Sequence, residues 1–167
     1  MDALIPFLVF CQALGAFTGA FSAVWSEIAY VRAVKDGKID RAERIHLDGI
    51  ARGLRFGMTI LLLASFGLVI VDFALRTALQ PALTPGYWTF VVLALLVVGV
   101  SWALSRRFVS FAFGSALIFT AWWFLAYLSI GWLPPLTFGA ALAFFAVATA
   151  IFYVILQGNR FFVLRKK

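Results

Sequence analysis

The sequence is short of charged residues, cysteine and histidine. Charged residues make up 13% of the 167 residues, whereas a soluble protein has roughly a quarter. The chain is 64% hydrophobic, with a mean hydropathy of +1.02. This composition excludes an ordinary soluble domain and predicts an integral membrane protein. The 19 Phe and six Trp are then expected to face lipid, so the expected partner is the lipid bilayer and not nucleic acid.

Metal-ligating side chains are also scarce. Cys11 has no second cysteine with which to form an internal disulfide. The single histidine, His46, excludes a bis-His haem within one chain, and only two glutamates, Glu27 and Glu43, exclude a four-helix di-iron centre. We therefore predict no cofactor, although a weaker metal site made of Glu27, Glu43 and His46 stays open.

Catalytic motifs are missing from the sequence. It contains no Ser/His/Asp set, phosphate-binding loop, dinucleotide fingerprint or Cys/His cluster. We therefore assign no catalytic residue and favour a non-enzymatic protein.

Five apolar segments are long enough to cross a membrane, which takes roughly 20 residues. They lie near 3–31, 54–79, 87–105, 108–131 and 135–157. We predict an all-α fold, a polytopic membrane bundle of five transmembrane helices that forms one transmembrane domain over 1–167. Charged and apolar residues recur on separate faces of 41–55, which indicates a cytoplasmic amphipathic helix leading into the second span. Its basic face fits solvent or an anionic lipid surface.

The basic residues predict the orientation. Thirteen of the 14 Lys and Arg fall between spans one and two, between spans three and four, or after span five. With five spans these places share one side, so the positive-inside rule puts the N-terminus outside and the C-terminus in the cytoplasm. The start MDALIPF lacks a basic n-region and a cleavage site, which favours a retained first span.

The stretch KDGKID at 35–40, extended to Glu43, gives the run DGKIDRAE, which resembles the second half of an EF-hand loop. In that alignment Arg32 and Val34 occupy the first and third ligand positions, where oxygen ligands are required. A helical turn is favoured instead, in which Gly37 ends one helix and Asp40 with Glu43 begins the next as a capping box.

Small residues spaced four apart predict close packing between the first span and the next helix. They are Gly15, Gly19 and Ala23 in the first, and Gly49, Gly53 and Gly57 in the second. If the hairpin folds about Lys38, the facing pairs are Gly19 with Gly57, Ala23 with Gly53, and Glu27 with Gly49. Chance recurrence of glycine, or a homo-oligomer interface, would explain the spacing as well.

Glu27 is the acidic residue that most needs a partner. It lies five residues before Arg32, near the inner edge of the first span. The hairpin register brings it towards Arg52 and His46, with Glu43 as a further member of a candidate ion or ion-pair site. Two interpretations stay open: an ion pair that locks the hairpin, and a proton or cation site at the cytoplasmic mouth.

The runs LGAFTGAFSAVWSEIAYVRAVKDGKID and SALIFTAWWFLAYLSIGWLPPL resemble a group of small bacterial multi-pass membrane proteins. In that group a glycine-rich first span with an acidic residue near its inner end precedes a K-D-G turn, and a Trp-containing fourth span precedes a Leu-Pro turn. The resemblance implies a five-helix protein of the bacterial inner (plasma) membrane and makes Glu27 the matching acidic position. The layout is more remotely similar to copper-export-type membrane domains, whose His and Met ligands this chain lacks.

The function predicted from the sequence is that of a structural or accessory membrane component. We expect it to self-associate as a homo-oligomer or to act as a subunit of a larger membrane complex. The alternative is a channel or transporter for protons, cations or small solutes that uses Glu27 near the cytoplasmic side.

Overall fold

The computed structural model describes residues 3–35, 39–75, 83–131 and 136–165, and these residues are helical apart from short connections. The elements are α1 (Leu4–Lys35), α2 (Ile39–Gly53), a π-helical segment (Leu54–Met58), α3 (Thr59–Ala74), α4 (Pro85–Ser105), α5 (Phe111–Ser129) and α6 (Phe138–Arg165). No strand occurs within the described ranges. The predicted all-α fold is confirmed for this part of the chain.

Within the described residues, five stretches are long and apolar enough to span a membrane, which is the number predicted. They are Leu4–Arg32, Arg44–Ala74, Pro85–Ser105, Phe111–Ser129 and Phe138–Phe162. Large apolar side chains cover their outer faces: Phe10, Phe73 and Val154, for example, are each more than 60% exposed. This surface is compatible with a multi-pass integral membrane protein, because a water-exposed domain rarely shows apolar patches of this extent.

Two helix ends are set by recognisable local signals. The hydroxyl oxygen of Thr84 accepts a hydrogen bond from Tyr87 N at 3.3 Å, and Pro85 occupies the first turn of α4. After α5, Gly131 adopts a φ of +68°, the left-handed conformation that glycine tolerates at the end of a helix.

The predicted turn between the first two helices is only partly covered. Gly37 and Lys38, the expected helix end and hairpin centre, lie outside the described residues. Helix α2 begins at Ile39, so Asp40 lies inside its first turn and not at the N-cap position that we predicted.

Helix α5 lies at the centre of the bundle. Buried residues make up 56% of an 18-residue apolar stretch of α5, compared with 22% of such a stretch in α1 and in α6. Trp122 and Leu125, at most 1% exposed, occupy the core with Leu61 of α3 and Leu93 of α4. A central helix of this kind can present side chains to several neighbours at the same level.

Helix α2, the π-helical segment and α3 follow one another without a break, and we call this stretch the α2–α3 rod. Glycines bring its backbone close to that of α1. A Cβ placed on Gly57 would lie 2.8 Å from Gly15 O and 2.9 Å from Gly19 N. A Cβ on Gly15 would likewise lie 2.6 Å from Leu61 N, while Gly19 also faces the indole of Trp122. No side chain fits between these backbones, so the absence of Cβ atoms is what permits the contact.

Towards the start of α2, the register between α1 and α2 differs by one residue from the predicted one. Gly53 faces the Ser22 side chain and Gly49 faces that of Ser26, where the sequence predicted Ala23 and Glu27. One residue corresponds to about 100° of rotation around an α-helix. The shift therefore turns Glu27 away from the glycine face of α2, towards α5 and α6.

Candidate functional site

The side chain of Glu27 forms a bidentate ion pair with Arg160 of α6. Arg160 Nε donates to Glu27 Oε1 at 2.8 Å, and Arg160 Nη2 donates to Glu27 Oε2 at 2.7 Å. The two side chains are only 12% and 7% exposed. Paired N–H groups matched to both carboxylate oxygens make the strongest geometry available to these two residues.

Helices α1 and α5 supply the remaining contacts to the guanidinium. Arg160 Nη2 donates a further hydrogen bond to Ser115 Oγ at 2.9 Å. The Arg160 Cζ atom lies 4.7 Å from the centroid of the Tyr30 ring and 5.2 Å from that of Phe111. Aromatic faces attract a cation more strongly when water is excluded, so the rings help to hold the buried charge.

His46 of α2 completes the cluster. It is 2% exposed, and its Nδ1 lies 3.8 Å from Glu27 Oε2. Its ring meets Phe111 and Tyr30 edge-on, with centroids 4.9 and 5.7 Å apart. Nδ1 has no hydrogen-bond partner within the described part of the chain. The imidazole therefore stands beside the carboxylate without making the close hydrogen bonds that Arg160 makes.

The cluster joins helices that are far apart in sequence. Glu27 is 133 residues from Arg160, and Ser115 is 45 residues from it. We call the group Glu27, Tyr30, His46, Phe111, Ser115 and Arg160 the ion-pair cluster. It lies at the end of the bundle where α1 and α6 approach their C-termini and α2 and α5 begin, here called the basic end because Arg32, Arg44, Arg106 and Arg107 lie there as well.

Sequence reasoning missed Arg160, and with it Tyr30, Phe111 and Ser115. In the sequence analysis Arg160 counts, with Arg165 and the final lysines, only among the basic residues after span five. Its helix continues to Arg165, beyond the expected end of the fifth span at 157, and Arg160 is buried. The sequence does contain a signal for this pairing. Arg160 precedes Arg165 by five residues, just as Glu27 precedes Arg32. This equal spacing would place Glu27 and Arg160 at the same level of the bundle.

Among the residues that we singled out, the structure brings Glu27 and His46 together. Arg52 lies elsewhere: its Nε donates to Asp48 O at 3.3 Å, and its side chain lines a lateral groove with Trp25. Glu43 lies on α2, and its side chain is outside the described residues. Glu27 therefore has Arg160, and not Arg52, as its close cationic partner.

The cluster has two distinct chemical capacities. The pairing of Glu27 with Arg160 joins α1 to α6 and cancels two buried charges, which would each be costly alone. His46 adds a titratable group next to the carboxylate. No group of three or more His, Cys, Asp or Glu residues in the described ranges is arranged to hold a metal ion.

The chain was compared with protein-family models, curated proteins and solved structures, and none of these comparisons found a match. The resemblance to small bacterial membrane proteins thus stays an expectation from the sequence. Functional inference depends on the geometry of the ion-pair cluster.

Proposed function

We propose that this chain is a non-enzymatic structural or accessory component of the bacterial inner (plasma) membrane. In this proposal it spans the bilayer five times, with the N-terminus outside and the C-terminus in the cytoplasm, and self-associates or joins a larger membrane complex. The basic end of the bundle then faces the cytoplasm, in agreement with the positive-inside rule.

The observation that carries this proposal is how Glu27 and Arg160 use their hydrogen-bonding groups. Both carboxylate oxygens accept from the guanidinium, and Arg160 Nη2 also donates to Ser115. A charge engaged in this way ties helices together and is poorly suited to bind and release a substrate. The broad apolar surface supports a role within the membrane.

The test is the mass and composition of the native particle. The full-length chain is extracted from membranes in mild detergent, and its mass is measured by size-exclusion chromatography with light scattering. We expect a homo-oligomer or a stable complex with another subunit. A strictly monomeric particle without a partner would contradict the accessory role.

A proton or cation pathway is the second candidate, favoured by His46. The buried Nδ1 has no described hydrogen-bond partner and faces Glu27 Oε2 at 3.8 Å. A carboxylate and an imidazole at this separation can exchange a proton after a small side-chain movement.

This alternative predicts flux through liposomes that contain the purified chain. Glu27→Gln and His46→Gln should each change that flux, whereas Asp48→Asn, which alters an exposed carboxyl on the same helix as His46, should leave it unchanged. Liposomes that stay tight to protons and monovalent cations would exclude the pathway.

A further inference from the structure

A second basic feature lies beside the ion-pair cluster and shares the Phe111 side chain with it. It is a pocket of about 570 Å³ between α2 and the α4–α5 connection, within the size range of small-ligand sites. We call it the Arg44–Arg107 pocket. The residues that line it are Arg44, Leu47, Leu104, Ser105, Arg107, Val109 and Phe111.

The cations of this pocket have no described counter-ion. The ion pairs found within the described ranges all involve Glu27, which faces Arg160 and His46. Arg44 and Arg107 are both exposed and come from separate elements. Two arginines that line one pocket favour an anionic ligand, above all a phosphate that can accept from both side chains.

The backbone around the pocket favours an anion as well. Arg107 has a φ of +60°, a left-handed conformation that is uncommon for residues other than glycine. Helix α5 starts at Phe111, and its N-cap residue Ser110 makes no side-chain capping bond. The first N–H groups of α5 thus have no capping acceptor from Ser110, and the positive end of the helix dipole lies beside the pocket.

Apart from Ser105, the other residues that line the pocket are apolar. Leu47, Leu104 and Phe111 line it, and Leu104 is only 5% exposed. Next to it, the exposed rings of Trp102 and Phe108 meet at a centroid distance of 5.6 Å. A free phosphate ion has no apolar surface to bury against these residues. The glycerol backbone and first acyl carbons of a lipid would bury apolar surface against them.

From this combination we infer that the Arg44–Arg107 pocket binds the phosphate headgroup of an anionic phospholipid. The phosphate lies between the two guanidinium groups, and the acyl chains leave along the apolar wall towards Trp102 and Phe108. Helix α4 ends at Ser105, so the pocket lies where a spanning helix would leave the hydrocarbon core. The inference rests on the membrane placement proposed above and adds a ligand that this placement does not require.

The experiment uses the full-length chain purified in mild detergent, with native mass spectrometry to count bound lipids. The protein is titrated in parallel with phosphatidylglycerol, phosphatidylcholine and inorganic phosphate. We expect tight retention of one phosphatidylglycerol molecule, weaker binding of phosphatidylcholine and no competition from phosphate. Equal binding of the two lipids, or displacement of phosphatidylglycerol by phosphate, would overturn the inference.

The variant Arg44→Gln/Arg107→Gln should bind phosphatidylglycerol roughly 30-fold more weakly, at about fivefold for each basic residue removed. The matched control is Arg32→Gln/Arg55→Gln, which removes two exposed arginines outside the pocket and should keep wild-type affinity. Arg44→Lys/Arg107→Lys, which keeps both charges, should retain more affinity than the glutamine variant. Wild-type affinity in the glutamine variant, or an equal loss in the control, would overturn the site.

Helix content by circular dichroism and an alkaline wash of the membranes accompany each variant. If the wild-type chain is washed off the membranes, the proposed membrane placement fails. If it stays in the membrane but shows no preference for phosphatidylglycerol that depends on Arg44 and Arg107, only the lipid site fails.

Discussion

Helix α1 meets its neighbours through two interfaces of opposite character. Against the α2–α3 rod it packs backbone to backbone, at glycines where an added Cβ would lie 2.8 Å from a carbonyl oxygen. Against α6 it relies on a buried ion pair of 2.7–2.8 Å. The first interface is intolerant of added volume, and the second is intolerant of a lost partner.

Helices α2 and α6 are held against α1 by different kinds of contact. The α1–α2 contact follows directly in the chain and runs along much of both helices, so close van der Waals packing can specify it. Helix α6 lies at the edge of the bundle and packs on α5 through ring contacts such as Phe119 with Phe152 at 5.2 Å. Rings can slide over one another, whereas a bidentate ion pair fixes one register.

The largest effect should come from breaking the ion pair. Glu27→Gln leaves the Arg160 guanidinium buried without its counter-ion, so we expect a loss of about 3–5 kcal/mol in the free energy of unfolding. Unfolding is measured by titration with a denaturing detergent, monitored by circular dichroism. Asp48→Asn, at an exposed carboxyl, is the control and should change the free energy of unfolding by no more than about 0.5 kcal/mol.

The double variant Glu27→Leu/Arg160→Met sharpens this test. Replacing a buried pair by apolar side chains of similar volume is often close to neutral, because no uncompensated charge remains. We expect the double variant to be more stable than either single one. Additive losses in the double-mutant cycle would show that the two side chains stabilise the bundle independently.

The next effect is that of added volume at the glycine interface. Gly57→Ala places a methyl group against the backbones of Gly15 and Gly19, so we expect a loss of about 1–3 kcal/mol in the same titration. Gly99→Ala is the matched control, because no atom lies within 4 Å of its added Cβ. It should be neutral or stabilise by up to about 1 kcal/mol, owing to the better helix propensity of alanine. Equal effects of the two changes would refute the close approach of the backbones.

A smaller loss is expected for Ser115→Ala. This change removes one acceptor from Arg160 and leaves the Glu27 pairing intact, so the expected cost is about 1 kcal/mol. Ser129→Ala provides the comparison within α5, since its hydroxyl donates to Leu125 O of the same helix. If the two variants lose equal stability, the bond from Arg160 to Ser115 contributes nothing specific.

The helical fold could be predicted from the sequence because long apolar segments are enough to identify spanning helices. The partner of Glu27 was harder to predict, because it depends on rotation of α1 about its own axis. A shift of one residue, with Ser26 instead of Glu27 against Gly49, turns the carboxylate towards another helix. Arg160 was counted among the basic residues after span five, because charge counting treats every basic residue near a helix end alike.

The π-helical segment Leu54–Met58 was not predicted from the sequence. It affects which side of the α2–α3 rod faces α1 at each end. Gly49, Gly53, Gly57, Leu61 and Ser65 recur every fourth residue, and in a regular α-helix such a row drifts by about 40° per step. The wider π turn offsets part of that drift, which helps Gln12 to reach Ser65 Oγ at 3.0 Å while Gly49 still faces Ser26. Closing the segment to a regular α-helical turn would restore that drift and rotate the residues beyond it relative to His46. The length of this segment thus sets the angle between the two ends of the rod.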